Sequence, residues 1–228
     1  MIPWLQDETA PFPPIDQAID EPNGLLAAGG TLSHQRLVSA YRAGIFPWYS
    51  PGEPILWWSP DPRCVLVPDQ LHISKSMRKR LKKDDYHVTF NRNFSAVIDA
   101  CSAPRKGEDG TWITNEMKAA YEKLHQQGLA HSVEVYIEGE LVGGLYGLSM
   151  GKLFFGESMF SKVKDCSKIA FIKMVEQLQK WGYALIDCQV SNDHLFSLGA
   201  QEISRDEFQR YLDQYIDSHS QTKWEFDS

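Results

Sequence analysis

Two short apolar runs in the last third of the chain carry polar residues where a strand interior normally has none. The first reads Leu153-Phe154-Phe155-Gly156-Glu157-Ser158-Met159-Phe160, the second Ala184-Leu185-Ile186-Asp187-Cys188-Gln189-Val190. Between them, Ser167 to Trp181 has helical period and is closed by Gly182. The pattern predicts a β-α-β unit with parallel strands and a right-handed crossover. Side chains alternate along a strand, which puts Leu185, Asp187 and Gln189 on one face and Phe155, Glu157 and Met159 together on the other strand. A buried acid is costly unless it is paired, solvated or used. Two acids and an amide near the carboxyl ends of these strands form a candidate site. The alternative is that Asp187 or Asn192 caps a short helix beginning near Asp193.

The same patterning orders the rest of the chain. Ser33 opens a helix running to about Ala43, stopped by Gly44. Cys64 to Val67 reads as a strand, Ser74 begins a second helix, and Tyr86 to Asn91 is a strand followed by a helix over Phe94 to Cys101. A charged loop, Arg105 to Gly110, precedes Thr111-Trp112-Ile113-Thr114 and an amphipathic helix, Asn115 to Gln127, with Met117, Tyr121 and Leu124 inward. Ser132 to Ile137 and Leu141 to Met150 alternate as two strands around Glu138-Gly139-Glu140. Ser204 caps a last helix to Ile216, and the tail from His219 has no period and is expected to be loose.

The start of the chain has a different texture. Most of the 12 prolines precede residue 70, and with Asn23-Gly24 and Gly29-Gly30 they predict turns and loops over the first thirty residues. Phe46-Pro47-Trp48-Tyr49 and Trp57-Trp58-Ser59-Pro60 set large aromatics in a stiff backbone. Trp57 and Trp58 suit a packing layer, whereas Trp48 and Tyr49 suit either packing or a stacking platform.

Composition narrows the class. A hydrophobic share of 43% and a charged share of 23% are those of a soluble globular protein. Cys64, Cys101, Cys166 and Cys188 have no metal-binding spacing and are expected as free thiols in a cytoplasmic protein. No apolar run is long enough to span a bilayer. The net charge of −7 does not advertise a nucleic-acid partner. Lys75, Arg78, Lys79, Arg80, Lys82 and Lys83 nevertheless form a dense basic run. It is either a solvated helix face or the place for a phosphate contact.

The element order predicts an α+β fold in which a small N-terminal domain (1–62) precedes an N-acetyltransferase-like (GNAT-like) mixed-sheet domain (63–218), with a flexible tail (219–228). A coenzyme A site of that fold uses a glycine-containing loop at a helix N-terminus. The matching stretch, Ser161 to Lys168, has no glycine. The acyl donor is therefore expected to be something else.

The residue blocks carry a resemblance. Glu21-Pro22-Asn23-Gly24-Leu25-Leu26, Gly44-Ile45-Phe46-Pro47-Trp48, Trp57-Trp58-Ser59-Pro60-Asp61-Pro62-Arg63 and Gly110-Thr111-Trp112-Ile113-Thr114 resemble the leucyl/phenylalanyl-tRNA–protein transferases. So do Gly156-Glu157-Ser158-Met159-Phe160-Ser161, Leu185-Ile186-Asp187-Cys188-Gln189-Val190, Asn192-Asp193-His194 and Ser197-Leu198-Gly199-Ala200. Tyr49 stands where some members have Phe.

The resemblance implies an enzyme that moves Leu or Phe, and Met less well, from aminoacyl-tRNA to the α-amine of proteins beginning with Arg or Lys, marking them for degradation. It implies no metal or organic cofactor, and a monomer is expected. Asp187 becomes the carboxylate that holds the amine and accepts its proton, with Gln189 beside it and Glu157 holding the acceptor's basic residue. Trp48, Tyr49 and Trp112 become the wall around the terminal adenosine and amino acid, and Phe155, Ser158 and Met159 belong to the substrate pocket. The basic run becomes the tRNA contact. Two other classes remain: a coenzyme A-dependent acetyltransferase, which coenzyme A binding would reveal, and a non-catalytic adaptor, which a product assay would exclude.

Overall fold

A computed structural model of the chain describes residues 2–83, 85–104 and 112–227. The charged loop Arg105 to Gly110 and Thr111 lie outside the described residues. The chain opens with a four-stranded sheet. Its strands are β1 (Trp4–Leu5), β2 (Leu25–Gly29), β3 (Phe46–Pro47) and β4 (Leu56–Trp58), in the order β1-β2-β4-β3, with α1 (His34–Arg42) between β2 and β3. This corrects the expectation of turns and loops before residue 30. Leu25 to Gly29 is a continuous apolar run with no period, buried along nearly its whole length, so alternation could not announce it as a strand. Ser33 caps α1, its hydroxyl accepting from the Arg36 N–H at 3.3 Å. Trp57 is fully buried in this sheet and donates its indole N–H to the Gly29 carbonyl at 2.9 Å.

The second sheet has seven strands in the order β11-β5-β10-β9-β8-β7-β6. In chain order its elements are β5 (Arg63–Leu66), α2 (Lys75–Leu81), β6 (His87–Phe90), α3 (Phe94–Ser102), α4 (Asn115–Gln126), β7 (Ala130–Ile137), β8 (Glu140–Met150), β9 (Leu153–Ser161), α5 (Cys166–Lys180), β10 (Leu185–Gln189), α6 (Asp193–Phe196), β11 (Gln201–Ile203) and α7 (Arg205–Tyr215). β9 and β10 pair in parallel and every other neighbour pair is antiparallel. An antiparallel meander followed by strand, crossover helix and parallel strand is the N-acetyltransferase-type arrangement expected from the sequence.

The sheet separates two apolar clusters. On one side, α1, α3, α4, α7 and the N-terminal sheet share a core that runs through both sheets. On the other, α5 packs its apolar residues against β7, β8 and β9 and leaves Gln179 and Lys180 exposed at its end. The tail closes this second side and is not loose. Trp224 is 6% exposed, stacks on His131 at 3.7 Å, and has Phe90 and Trp181 as further ring neighbours. Asp227 takes a hydrogen bond from the Gln177 amide at 2.8 Å and returns one from its backbone N–H. The segment is held by isolated aromatic side chains without regular backbone structure, so it left no periodic signal.

Candidate active site

β9 and β10 are paired over three positions, Leu185 with Leu153, Ile186 with Phe154 and Asp187 with Phe155. Beyond these the ladder ends and the strands part. Each strand carries an irregularity at the parting. In β9 the register to β8 runs Gly147 to Gly156 and then Tyr146 to Ser158, which leaves Glu157 as the extra residue of a bulge. Gly147 permits it, because a Cβ there would collide with the Phe155 carbonyl oxygen. In β10 the register to β5 shifts between Asp187 and Gln189, and Gln189 adopts a φ of +63°. A cleft of about 1100 Å³ opens where the strands separate, at their carboxyl ends. Such crevices in a sheet are the usual place for a ligand.

Glu157 and Gln189 meet across the opening. The Gln189 amide donates to Glu157 Oε1 at 2.9 Å, and both side chains line the cleft. Behind Glu157, the Tyr41 hydroxyl is 2.7 Å from Oε1 and the Tyr121 hydroxyl 2.8 Å from Oε2. Burial pushes the Glu157 carboxyl up to about 7, and the Asp187 charge acts in the same direction, while the tyrosine and Gln189 hydrogen bonds oppose the rise. Near neutral pH Glu157 is therefore close to its midpoint, a property common to groups that take part in proton transfer.

Asp187 has different surroundings. It is 2% exposed and does not line the cleft. Arg63 grips both its oxygens, Nε to Oδ1 at 2.8 Å and Nη2 to Oδ2 at 2.7 Å. The guanidinium donates a further bond to the Gly44 carbonyl and lies between the Phe46 and Phe208 rings, 4.8 and 4.6 Å from their centroids. Asp187 Oδ1 also accepts the Gln189 backbone N–H at 2.9 Å, fixing the turn that aims Gln189 at Glu157. Nor does Asp187 cap the following helix, since Asn192 does so by accepting the Leu195 N–H at 2.9 Å. Arg63, Tyr41 and Tyr121 were missed as site residues. The available signal was that a buried strand acid requires a partner, and Arg63 opens a neighbouring predicted strand.

Trp48, Trp112, Ser158 and Met159 line the cleft, whereas Tyr49 and Phe155 do not. Tyr49 is buried, with its hydroxyl 3.4 Å from Thr114 Oγ1. Phe155 is fully buried and packs edge-on against Tyr41 at 5.4 Å. Its neighbour Phe154 takes the place expected for it, because alternation turns Phe154 toward α5. There Leu145, Phe154, Phe171, Met174 and Ile186 form an apolar recess of the cleft. The bulge at Glu157 also separates Met159 from Phe155 and Glu157, and sends it to the α5 side. At the bulge, the buried Tyr146 hydroxyl and Ser158 Oγ have no hydrogen-bond partner among the described residues. Among those residues, no cluster of three or more His, Cys, Asp or Glu side chains is placed to hold a metal ion, and no helix is long and apolar enough to cross a membrane.

The basic run forms α2 and its C-terminal turn, capped by Ser74. Lys75, Arg78, Lys79, Lys82 and Lys83 are exposed. Arg80 is drawn inward, paired with Asp85 at 2.6 Å, and its guanidinium reaches the Cys166 thiol at the start of α5. The next residue, Ser167, lines the cleft together with Lys162. Arg80 thus ties α2 to the start of α5, at one lip of the cleft. If a polyanion docks along α2, reversing Lys79 and Lys82 to Glu raises the KM for it and lowers its salt slope by about one per lysine, leaving the KM of an uncharged co-substrate unchanged. KM measured over a salt series reads this out; an unaltered slope removes α2 from the docking path.

Comparison with known proteins places these residues in a family. The model described as leucyl/phenylalanyl-tRNA protein transferase matches residues 65–213, and the model of that family's N-terminal domain matches residues 30–61. A leucyl/phenylalanyl-tRNA–protein transferase of Pseudomonas fluorescens is 60% identical over 224 residues, which is 98% of this chain and 99% of that one. One from Pseudomonas aeruginosa is 60% identical over 217 residues, 95% of this chain and 96% of that one. Among solved structures, a GCN5-related N-acetyltransferase from Kribbella flavida aligns at 10% identity and a TM-score of 0.42, covering 72% of this chain and 58% of that one.

Proposed function

Because the chain belongs to the leucyl/phenylalanyl-tRNA–protein transferase family, we propose that it moves Leu or Phe, and Met less well, from aminoacyl-tRNA to the α-amine of proteins beginning with Arg or Lys, so marking them for degradation. The chain is a tRNA-dependent aminoacyltransferase. The observation that carries the finer reading is the pairing, in one cleft, of a buried acid with an apolar recess. The recess suits an aliphatic or aromatic donor side chain. One methylene is worth only ~1–3 kcal/mol in such a pocket, so Leu, Phe and Met are accepted together. Trp48 and Trp112 offer flat faces for the terminal adenosine.

The aminoacyl ester is already activated, and the protein's task is placement and charge management. The acceptor's ammonium lies against Glu157, loses its proton there, and the neutral amine attacks the ester carbonyl. The C–N bond forms as the C–O bond to the ribose breaks, and the ribose oxygen takes a proton. Gln189 orients Glu157. Asp187, matched by Arg63, holds Gln189 in position, which moves the proton-accepting role expected for Asp187 to Glu157.

Incubation with Leu-tRNA and an Arg-starting peptide, followed by mass measurement, tests the reaction; a peptide without added Leu overturns it. The acid predicts acceptor choice as well, because the field that holds the α-ammonium also draws the basic side chain beside it. Peptides starting with Arg or Lys react, and those starting with Ala or Glu react more slowly by about a hundredfold or more, the scale of a lost buried charge pair. Equal initial rates for Arg- and Ala-starting peptides remove Glu157 from acceptor selection.

A further inference from the structure

The two phenols that hold Glu157 also touch each other. Their hydroxyls are 2.5 Å apart, while Tyr41 lies 2.7 Å from Oε1 and Tyr121 2.8 Å from Oε2. Three oxygen–oxygen contacts of this length need one proton each, and two phenols bring only two. With Glu157 ionised, one of the three contacts faces lone pair against lone pair inside a buried site, where an unmade hydrogen bond is expensive. With one proton on the carboxyl, every contact is filled. Oε2–H donates to Tyr121, Tyr121 donates to Tyr41, and Tyr41 donates to Oε1. Oε1 then has carbonyl character, and it is the oxygen to which the Gln189 amide also donates.

We propose that Tyr41 and Tyr121 are positioning residues that keep Glu157 neutral in the resting protein, within a closed ring of three hydrogen bonds, and that a cationic acceptor N-terminus opens this ring and releases one proton to solvent. The second half rests on the acceptor reading given above; the first does not. Taken singly, each tyrosine hydroxyl favours the carboxylate by donating to it, but both cannot donate at once without setting their own oxygens lone pair against lone pair. The charges facing Glu157 also favour a neutral resting state. Tyr41 from α1, Tyr121 from α4 and Tyr146 from β8 are all held well above the ordinary phenol range, first by burial and then by the Glu157 charge, so they remain proton carriers. From β10, Asp187 disfavours a second negative charge, and the cation behind it, Arg63, is already bound to both Asp187 oxygens. The balance on binding is simple. A carboxylic acid and an ammonium become either a carboxylate–ammonium pair or a carboxylic acid beside a neutral amine. In both cases one proton leaves to bulk, and no other bond forms or breaks. The acceptor N–H supplies the donor that the opened ring lacks.

Infrared difference spectra of the full chain against Glu157→Gln, taken at about pH 6, test the resting state. A carboxylic-acid carbonyl band assignable to Glu157 is expected, and its absence overturns the ring. Tyr121→Phe leaves one contact and one phenolic proton, so the carboxylate no longer needs an extra proton. The midpoint at which the band disappears should then fall by about one pH unit or more. A tyrosine that only packs lowers stability without moving this midpoint, and an unchanged or raised midpoint overturns the positioning role. Calorimetry with an Arg-starting peptide, in buffers of different ionisation enthalpy, should give close to one proton released per peptide at about pH 6, declining as pH rises through the Glu157 range. If the band is present but no proton is released, the acceptor half is overturned. These readouts need no tRNA, so their outcome stays separate from failure of the transfer assay itself.

Discussion

Glu157→Gln is expected to lower single-turnover transfer from Leu-tRNA to an Arg-starting peptide by about 10²–10⁴, the range for a positioned acid or base. The variant should fold, because the glutamine amide can donate to one tyrosine and its carbonyl accept from the other. Its stability profile carries a second signature. The Glu157 carboxyl sits at about 7 in the folded chain against an ordinary 4.5, so between those values the folded chain binds more protons than the unfolded one. Stability contributed by the neutral acid is therefore fully present below 4.5 and is lost as pH rises through 7. A shift of this size corresponds to roughly 3 kcal/mol across the window. Glu157→Gln should abolish that decline. Its rate profile should also lose the limb near neutrality and keep the one set by the acceptor amine at about 8. A folded variant that transfers within threefold of wild type removes Glu157 from the chemistry.

Asp187→Asn should act mainly on stability. It leaves the Arg63 guanidinium, 1% exposed, without its counter-charge, and breaking one side of a buried ion pair costs about 3–5 kcal/mol. For a chain of this size that corresponds to a fall in Tm of roughly 6–20 °C. Denaturant unfolding measures the loss directly, and transfer assayed well below the new Tm should remain within about tenfold of wild type, since Asp187 does not line the cleft and acts through the placement of Gln189 and through its charge near Glu157. Replacing Arg63 and Asp187 together by Met and Leu should restore much of the stability. The decisive contrast is with Glu157→Gln. A stable Asp187→Asn chain that loses 10²–10⁴ in rate would return the proton-accepting role to Asp187.

Much of this arrangement is legible in the sequence where the determinants are local. The β-α-β unit, the Ser33, Ser74 and Ser204 caps and the Asn192 cap all follow from residues a few positions apart. Glu157, Asp187 and Gln189 stand out because polar side chains interrupt apolar strands. Their division of labour is not legible. The partner of Asp187 is 124 positions away, and those of Glu157 lie 116 and 36 positions away, on helices where Tyr41 and Tyr121 read as ordinary inward aromatics. Period-two alternation groups Met159 with Glu157 until a bulge intervenes, and a bulge has no sequence pattern beyond a permissive Gly147. Leu25 to Gly29 and Trp224 show the same limit: apolar residues buried without periodicity give no sign of which neighbour covers them.

The parting of β9 from β10 makes the cleft run through the sheet instead of along one side of it. Leu145, Phe154 and Ile186 belong to the cluster beneath α5, whereas Tyr41, Tyr121 and Phe155 belong to the other. A single strand thereby acts as a partition wall between two rooms that share a doorway. Resizing the recess for a different amino acid disturbs one room, and retuning the acid for a different acceptor disturbs the other. Residues without shared partners change free energy additively, so under the proposed reading donor and acceptor preference are expected to be alterable separately, each without rebuilding the half that serves the other.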